Sequence, residues 1–285
     1  LRTAIQRGAD INGLDQQGMT PLYLSVVEGH EEIMRFLVES GADVNGRTSE
    51  GFTPLIRAAE SRAIQTMEYL ISKGAQVGIA GNDGYIALHA VLIKADKTKQ
   101  EVLDMVELLL VHRADVNANS GPGKPLHYAV GGYGYPEIVQ LLLSKGADVD
   151  AVGPDGTALS LAAARDSLEL VLLLLEHGAD PNLEDYKGKR PLHNAARRGN
   201  EQIGKALLDH GADINARMIG SETPLHEAMK YRHLSMMKFL LDNGADVNAE
   251  TAQGTLLDEA EREQRKEMCS LLLKYGARRS NNPRK

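Results

Sequence analysis

The sequence predicts an all-α solenoid of stacked helix–turn–helix units joined by hairpin-like turns, and three observations carry that reading. The pentapeptide GADVN or a close variant begins at Gly8, Gly41, Gly74, Arg113, Gly146, Gly178, Gly211 and Gly244, with a shortened form at Gly276. Its intervals are 33, 33, 39, 33, 32, 33, 33 and 32 residues. A second marker keeps step with it: TPL at Thr20, Thr53 and Thr223, KPLH at Lys124, RPLH at Arg190, IALH at Ile86, and degenerate TALS at Thr157 and TLLD at Thr255. Between the markers, apolar residues recur at helical spacing, as in Ile33, Phe36 and Leu37 or Ile138, Leu141 and Leu142.

Each part of the unit has a physical reason. Threonine followed by proline suits a helix start, because the hydroxyl caps free backbone N–H groups and proline lacks only a donor that the first turn does not use. The apolar spacing downstream then marks a second helix packed by one face. Glycine of GAD stands where the chain leaves that helix in a left-handed conformation, which costs other residues roughly 1 kcal/mol. A hairpin-like turn leads on to the next unit.

Composition sets the outer bounds. A chain of 285 residues with 42% hydrophobic content is long enough to bury a sizeable interior. The single Cys269 can form no internal disulfide, which fits a reducing, intracellular setting, cytoplasmic or nuclear. The opening LRTAIQRGAD is not a basic segment followed by an apolar one, and no apolar run reaches membrane-spanning length. A net charge of -7 disfavours nonspecific attraction to nucleic acid or anionic lipid.

Residues that could carry chemistry are absorbed by the repeat. His89, His127, His193 and His226 all take the fourth place of the TPLH marker, so the repeat and not a metal site sets their recurrence. His30 and His233 follow the first helix of their units, while His112, His177 and His210 end second helices. The dipeptide His30-Glu31 lacks the second histidine of a zinc-protease helix, since position 34 is Met34. The glycine-rich stretches at Gly121 to Pro125 and Gly131 to Tyr135 lack phosphate-loop spacing, and the aspartates of GAD recur as turn chemistry. Met229, Met236 and Met237 fall at helical spacing and read as core. No catalytic site, metal or cofactor is expected.

The units resemble ankyrin repeats, whose pattern is a turn, a TPLH-type helix, a Gly-His-type loop, a second helix and GADVN. The resemblance covers the chain as one domain over residues 1–285: a partial repeat at 1–13, seven repeats at 14–252, a capping repeat at 253–279 and a basic tail at 280–285. The opening unit keeps only a second helix and its exit turn, so the array is expected to begin upstream. The charged DEAEREQRKE of the last unit reads as a solvated cap that ends the stack. Three departures stand out. The 39-residue interval predicts a long mobile loop around Ala95 to Asp104 and puts Arg113 at an exit glycine's place; the fourth repeat has an extra residue between its helices; the fifth is one residue short in its turn.

The resemblance also implies a concave binding side built from turn tips and first-helix ends. Early repeats present acidic or apolar residues there, such as Val27, Glu28, Glu60 and Ile93 with Lys94. Later ones present Tyr133, Arg165, Arg197, Arg198, Lys230 and Tyr231, with Tyr186, Lys187 and Lys189 at a turn tip. Arginine and tyrosine are enriched at binding hot spots, so a groove of one sign is expected, complementary to an acidic or phosphorylated segment of a partner protein. The implied function is a non-catalytic, monomeric interaction scaffold. The competing readings are a regulatory domain of a larger enzyme or channel, and, less favoured by the charge, a nucleic-acid-binding module. Finally, the family's turn asparagines can be hydroxylated when leucine lies eight residues earlier. Asn45, Asn117, Asn182, Asn215 and Asn248 match that spacing with Leu37, Leu109, Leu174, Leu207 and Leu240.

Overall fold

A helix start leaves backbone N–H groups without partners, and the repeat satisfies them from both directions. Thr20, Thr53, Thr157 and Thr255 accept from the backbone N–H of Tyr23, Ile56, Ser160 and Asp258 at 3.1–3.3 Å. In return, Nδ1 of His89, His127, His193 and His226 accepts the backbone N–H of Ile86, Lys124, Arg190 and Thr223 at 3.1–3.2 Å. This is the reciprocal half of a capping box with imidazole in the carboxylate's place. The marker histidines are thereby fixed as structural.

The computed structural model describes residues 3, 5, 7–93 and 98–280. Among them the chain forms sixteen helices and two short antiparallel hairpins, and it divides into two compact units, Leu1–Ala147 and Asp148–Lys285. The first unit holds α1 (Pro21–Val27), α2 (Glu31–Glu39), α3 (Pro54–Glu60), α4 (Ile64–Ser72), α5 (Ala87–Leu92), α6 (Lys99–Val111), α7 (Pro125–Gly131) and α8 (Pro136–Ser144). Each of these first helices packs on its own second helix, and α1 packs on α3, α3 on α5 and α5 on α7.

The second unit repeats the scheme with α9 (Ala158–Ala164), α10 (Leu168–Glu176), α11 (Pro191–Arg198), α12 (Glu201–Asp209), α13 (Pro224–Lys230), α14 (Leu234–Asp242), α15 (Leu256–Arg262) and α16 (Lys266–Lys274). Here α9 packs on α11 and α11 on α13, while α10, α12, α14 and α16 form the outer layer. Two turns close tightly enough to pair as strands: β1 (Val152–Gly153) with β2 (Gly156–Thr157), and β3 (Glu250–Thr251) with β4 (Gly254–Thr255). The first of these is the shortened turn of the fifth repeat.

The core lies between the two helix layers of each unit. The marker leucines Leu55, Leu88, Leu126, Leu159, Leu192 and Leu225 and the second-helix leucines Leu174, Leu207 and Leu240 are all buried. Each such side chain contributes about 2 kcal/mol by leaving water. Turn asparagines tie successive turns together. The side-chain carbonyls of Asn45, Asn182, Asn215 and Asn248 accept from the backbone N–H of Gln76, Asp213, Asp246 and Arg278 at 2.7–2.8 Å. The amide nitrogens of Asn45, Asn117, Asn182 and Asn248 donate to the carbonyls of Gly74, Gly146, Gly211 and Gly276 at 2.9–3.4 Å.

One expectation needs correction. The mobile loop expected to reach Asp104 does not form that far, because Lys99–Val111 is a helix of 13 residues. The cause is local: the Thr98 hydroxyl accepts from Glu101 N–H at 3.3 Å while the Glu101 carboxylate accepts from Thr98 N–H at 2.9 Å, a complete capping box. The insertion therefore lengthens α6 at its start. Lys94, Ala95, Asp96 and Lys97 lie outside the described residues, as do Leu1, Arg2, Ala4 and Gln6 of the opening partial repeat and residues 281–285 of the basic tail. Arg113 does occupy the glycine place, at φ +63.

Candidate protein-binding face

Cations gather at the ends of α9, α11 and α13 for a reason that needs no partner: the last turn of a helix carries unpaired carbonyls and favours positive charge. Arg165 caps α9, Arg197 and Arg198 close α11, and Lys230 and Tyr231 close α13. Stacking of the three helices then sets these ends side by side within the second unit. What distinguishes the side chains is how each is held.

Arg197 lies with its guanidinium carbon 4.9 Å from the ring centroid of Tyr231 in the next repeat. Cation–π stacking of this kind fixes the plane of the guanidinium while leaving its N–H edges to face outward. The side chain is exposed and forms no ion pair or hydrogen bond among the described residues. Its backbone carbonyl, by contrast, faces His233 Nε2 at 2.9 Å, which ties the α11 end to the following loop. Arg198 is pinned through one edge, its Nε donating to the Ala164 carbonyl at 2.7 Å.

The lysines are engaged differently. Lys189 is not at the turn tip: its side chain is only 14% exposed and lies on the inner face, Nζ 3.6 Å from Glu227 Oε2. Residue 189 immediately precedes the marker, a place that points inward; the equivalent residue in the third repeat is the buried Tyr85. Burial pulls the Lys189 ammonium below its ordinary value, with Glu227 opposing and Arg197 adding to the shift. Lys230 Nζ stands 3.7 Å from Glu222 Oε2 and 4.0 Å from Glu227 Oε1. The Glu227 side chain is 4% exposed. The face is therefore not of one sign: two carboxylates neutralise Lys189 and Lys230, and Arg197 is exposed with no ion pair among the described residues.

At the true tip, Tyr186 is 68% exposed and Lys187 Nζ rests 5.1 Å from its ring centroid. Tyr133 belongs to the first unit, where its ring stacks on Tyr135 at 5.2 Å and its hydroxyl accepts from Arg62 Nε at 3.2 Å. Arg62 also donates to the carbonyls of Glu60 and Ile93, so it acts as a strut across three repeats. Sequence reasoning missed Glu222, Glu227 and Asn194, whose Nδ2 donates to the buried Ser160 carbonyl at 3.1 Å. Asn194 and Glu227 both follow the marker histidine directly, and two polar residues at one buried register position were the signal available.

Comparison with known proteins decides the family. A family model described as ankyrin repeats in three copies matches residues 1–81, 76–153 and 126–218, and one described as ankyrin repeats in many copies matches residues 207–260. The chain belongs to the ankyrin-repeat family. Ankyrin-repeat relatives include the nuclear factor NF-kappa-B p105 subunit of Gallus gallus, 30% identical over 186 residues that make up 64% of this chain and 15% of that protein. The B-cell lymphoma 3 protein homolog of Mus musculus is 46% identical over 76 residues, 26% of this chain and 17% of that protein. The E3 ubiquitin-protein ligase hecd-1 of Caenorhabditis elegans is 33% identical over 122 residues, 43% of this chain but 4% of that protein. The chain thus spans less than a fifth of each of these relatives. Among solved structures, the human ASB11 ankyrin repeat domain is similar with a TM-score of 0.65 and 26% identity, covering 80% of this chain and 99% of that one. Ankyrin repeats serve in general as protein-interaction modules. Among the described residues no helix is long and apolar enough to cross a membrane.

Proposed function

We propose that the chain is a non-catalytic interaction module whose second unit binds an acidic or phosphorylated segment of a partner protein. Arg165, Arg197 and Arg198 supply the charge, and Tyr231 holds Arg197 in place. The observation that supports this most is the state of Arg197: oriented by an aromatic ring, exposed, and without an anion among the described residues. A guanidinium held this way loses little freedom on gripping a carboxylate or phosphate through two parallel N–H bonds. Lys189 and Lys230 already have Glu227 and Glu222, so they set the local field rather than anchor the ligand.

The reading is tested by the double charge reversal Arg197→Glu with Arg198→Glu, measured against a partner recovered by affinity capture with the unsubstituted chain. Circular dichroism and the urea midpoint are expected to hold, since both side chains are exposed. Affinity is expected to fall by about thirtyfold or more, the loss of about 2 kcal/mol that marks a hot spot. Unchanged affinity at low and at moderate salt would refute the reading. Steeply salt-dependent binding of DNA or RNA by the unsubstituted chain would favour the nucleic-acid alternative.

We also propose hydroxylation of Asn45, Asn117, Asn182, Asn215 and Asn248, supported by the leucine spacing. The five leucines concerned are at most 1% exposed. Modification that reads them therefore requires a repeat to open locally. Peptide mass after incubation with an asparagine hydroxylase is expected to show one added oxygen per modified site, and unmodified peptides would dismiss the proposal.

A further inference from the structure

The hairpin tips of the two units differ in one respect. Three turns of the first unit close over a three-residue loop whose first member is polar: Gln16, Ser49 and Asn82, each following the residue that pairs across the turn. The same place in the sixth and seventh repeats holds Tyr186 and Ile219, where Asp185 N–H donates to Lys189 and Met218 N–H donates to Glu222 across the turn. Both apolar side chains point into solvent, 68% and 72% exposed. They also stand on adjacent tips, because Ile219 N–H donates to the Lys187 carbonyl at 2.8 Å. A single exposed apolar residue needs no explanation, but two large ones at equivalent places on neighbouring fingers form a patch.

The patch belongs to the same repeats as Arg197. From Tyr186 to Arg190 the chain passes through the turn at Gly188, at φ +71, and can span no more than about 3.3 Å per residue, and from Arg190 to Arg197 it is helix rising about 1.5 Å per residue. The two lengths sum to at most about 24 Å, a distance that an extended peptide covers in about seven residues. One ligand segment can thus reach both the stacked guanidinium and the tips. Charge complementarity fixes its acidic end on Arg197, which leaves the tips to the ligand's other end. Lys187 over Tyr186 covers one side of the ring with an aliphatic stem and a charge, so the patch has an apolar centre and a cationic edge.

We infer that the tips of the sixth and seventh repeats form a second subsite, which takes a large apolar side chain within about seven residues of the acidic or phosphorylated group bound at Arg197. The inference rests on the binding reading above. It narrows the partner to an extended segment combining an acidic residue with an apolar anchor, and it makes Tyr186 and Ile219 specificity determinants.

The test is selection from a displayed library of random peptides about twelve residues long, long enough to span both subsites, on the full chain and on a Tyr186→Ser, Ile219→Ser variant. Both substitutions lie at exposed loop positions, and an unchanged urea midpoint confirms that the variant folds. Sequences recovered on the unsubstituted chain are expected to pair an acidic residue with a large apolar one at that spacing. On the variant the acidic preference is expected to remain and the apolar one to vanish. A synthetic peptide from the first selection should bind the variant about tenfold more weakly. Acidic enrichment without an apolar partner, or an apolar preference that survives in the variant, overturns the inference and leaves the binding reading standing. Absence of acidic enrichment overturns both.

Discussion

Lowering the pH from about 7 to about 4 is expected to remove most of the helical signal of this protein, and the cause is three buried imidazoles. Burial depresses His89, His193 and His226 from the ordinary 6.5 to about 4. For His89 the carbonyls of Ala118 and Gly123 and the carboxylates of Asp83 and Asp115 oppose that shift without cancelling it. Around His193 the Glu222 and Ala216 carbonyls oppose it while Lys189 and Arg190 add to it; around His226, Arg217 and His193 add to it and Asp246 opposes it. A base whose folded pKa lies below its unfolded one is stabilising only while neutral. Full stability is therefore present above about 6.5, is lost as the pH falls towards 4, and the loss saturates below that value. Each histidine accounts for roughly 3 kcal/mol across that window, and the three together for on the order of 9 kcal/mol. That is comparable with the about 5–15 kcal/mol that holds a typical domain folded. Far-ultraviolet circular dichroism against pH checks it. Substituting the three by glutamine, which keeps a capping acceptor but does not titrate, is expected to move the acid midpoint downward. A midpoint unmoved by that change would place the acid sensitivity in the carboxylates instead.

A second large effect is expected at a glycine. Gly84 sits at φ +83, and a Cβ there would stand 2.2 Å from the backbone oxygen of Asn119 in the next turn. Gly41, at φ +89, has nothing within 4 Å of the same hypothetical atom. Gly41→Ala should cost only the left-handed penalty of about 1–2 kcal/mol. Gly84→Ala adds a clash with backbone that cannot swing aside, for a total of about 2–5 kcal/mol. Urea midpoints of the two variants measure the difference, and equal losses would mean that the turns of the third and fourth repeats are less closely apposed than described.

The fold was legible because its determinants are local and repeated: threonine, proline and histidine at fixed offsets cap a helix whatever lies around them. The exit conformation was equally legible, and Arg113 in a left-handed state shows that the register outweighs the residue's own preference. What sequence did not reveal was pairing across repeats. Lys189 and Glu227 are separated by more than one period, so their contact depends on which side chains a shared register turns inward. The stacking of Arg197 on Tyr231 has the same origin. A charge count along first-helix ends therefore could not foresee that Lys189 and Lys230 face Glu227 and Glu222. The capping box at Thr98 was readable from Thr98 and Glu101, and was obscured by treating the whole insertion as loop.

The central claim is that the ring-held Arg197 anchors the partner more than the total positive charge of the face does. It is tested most directly by comparing Arg197→Ala with Lys230→Ala for binding the same acidic peptide at fixed ionic strength. Both substitutions remove one unit of positive charge from neighbouring helix ends. Lys230 is already matched by Glu222 and Glu227, whereas Arg197 rests on the Tyr231 ring with no ion pair among the described residues. Arg197→Ala is expected to weaken binding by about thirtyfold, near 2 kcal/mol, and Lys230→Ala by about twofold or less. Equal losses for the two variants, or none at Arg197, would contradict the account.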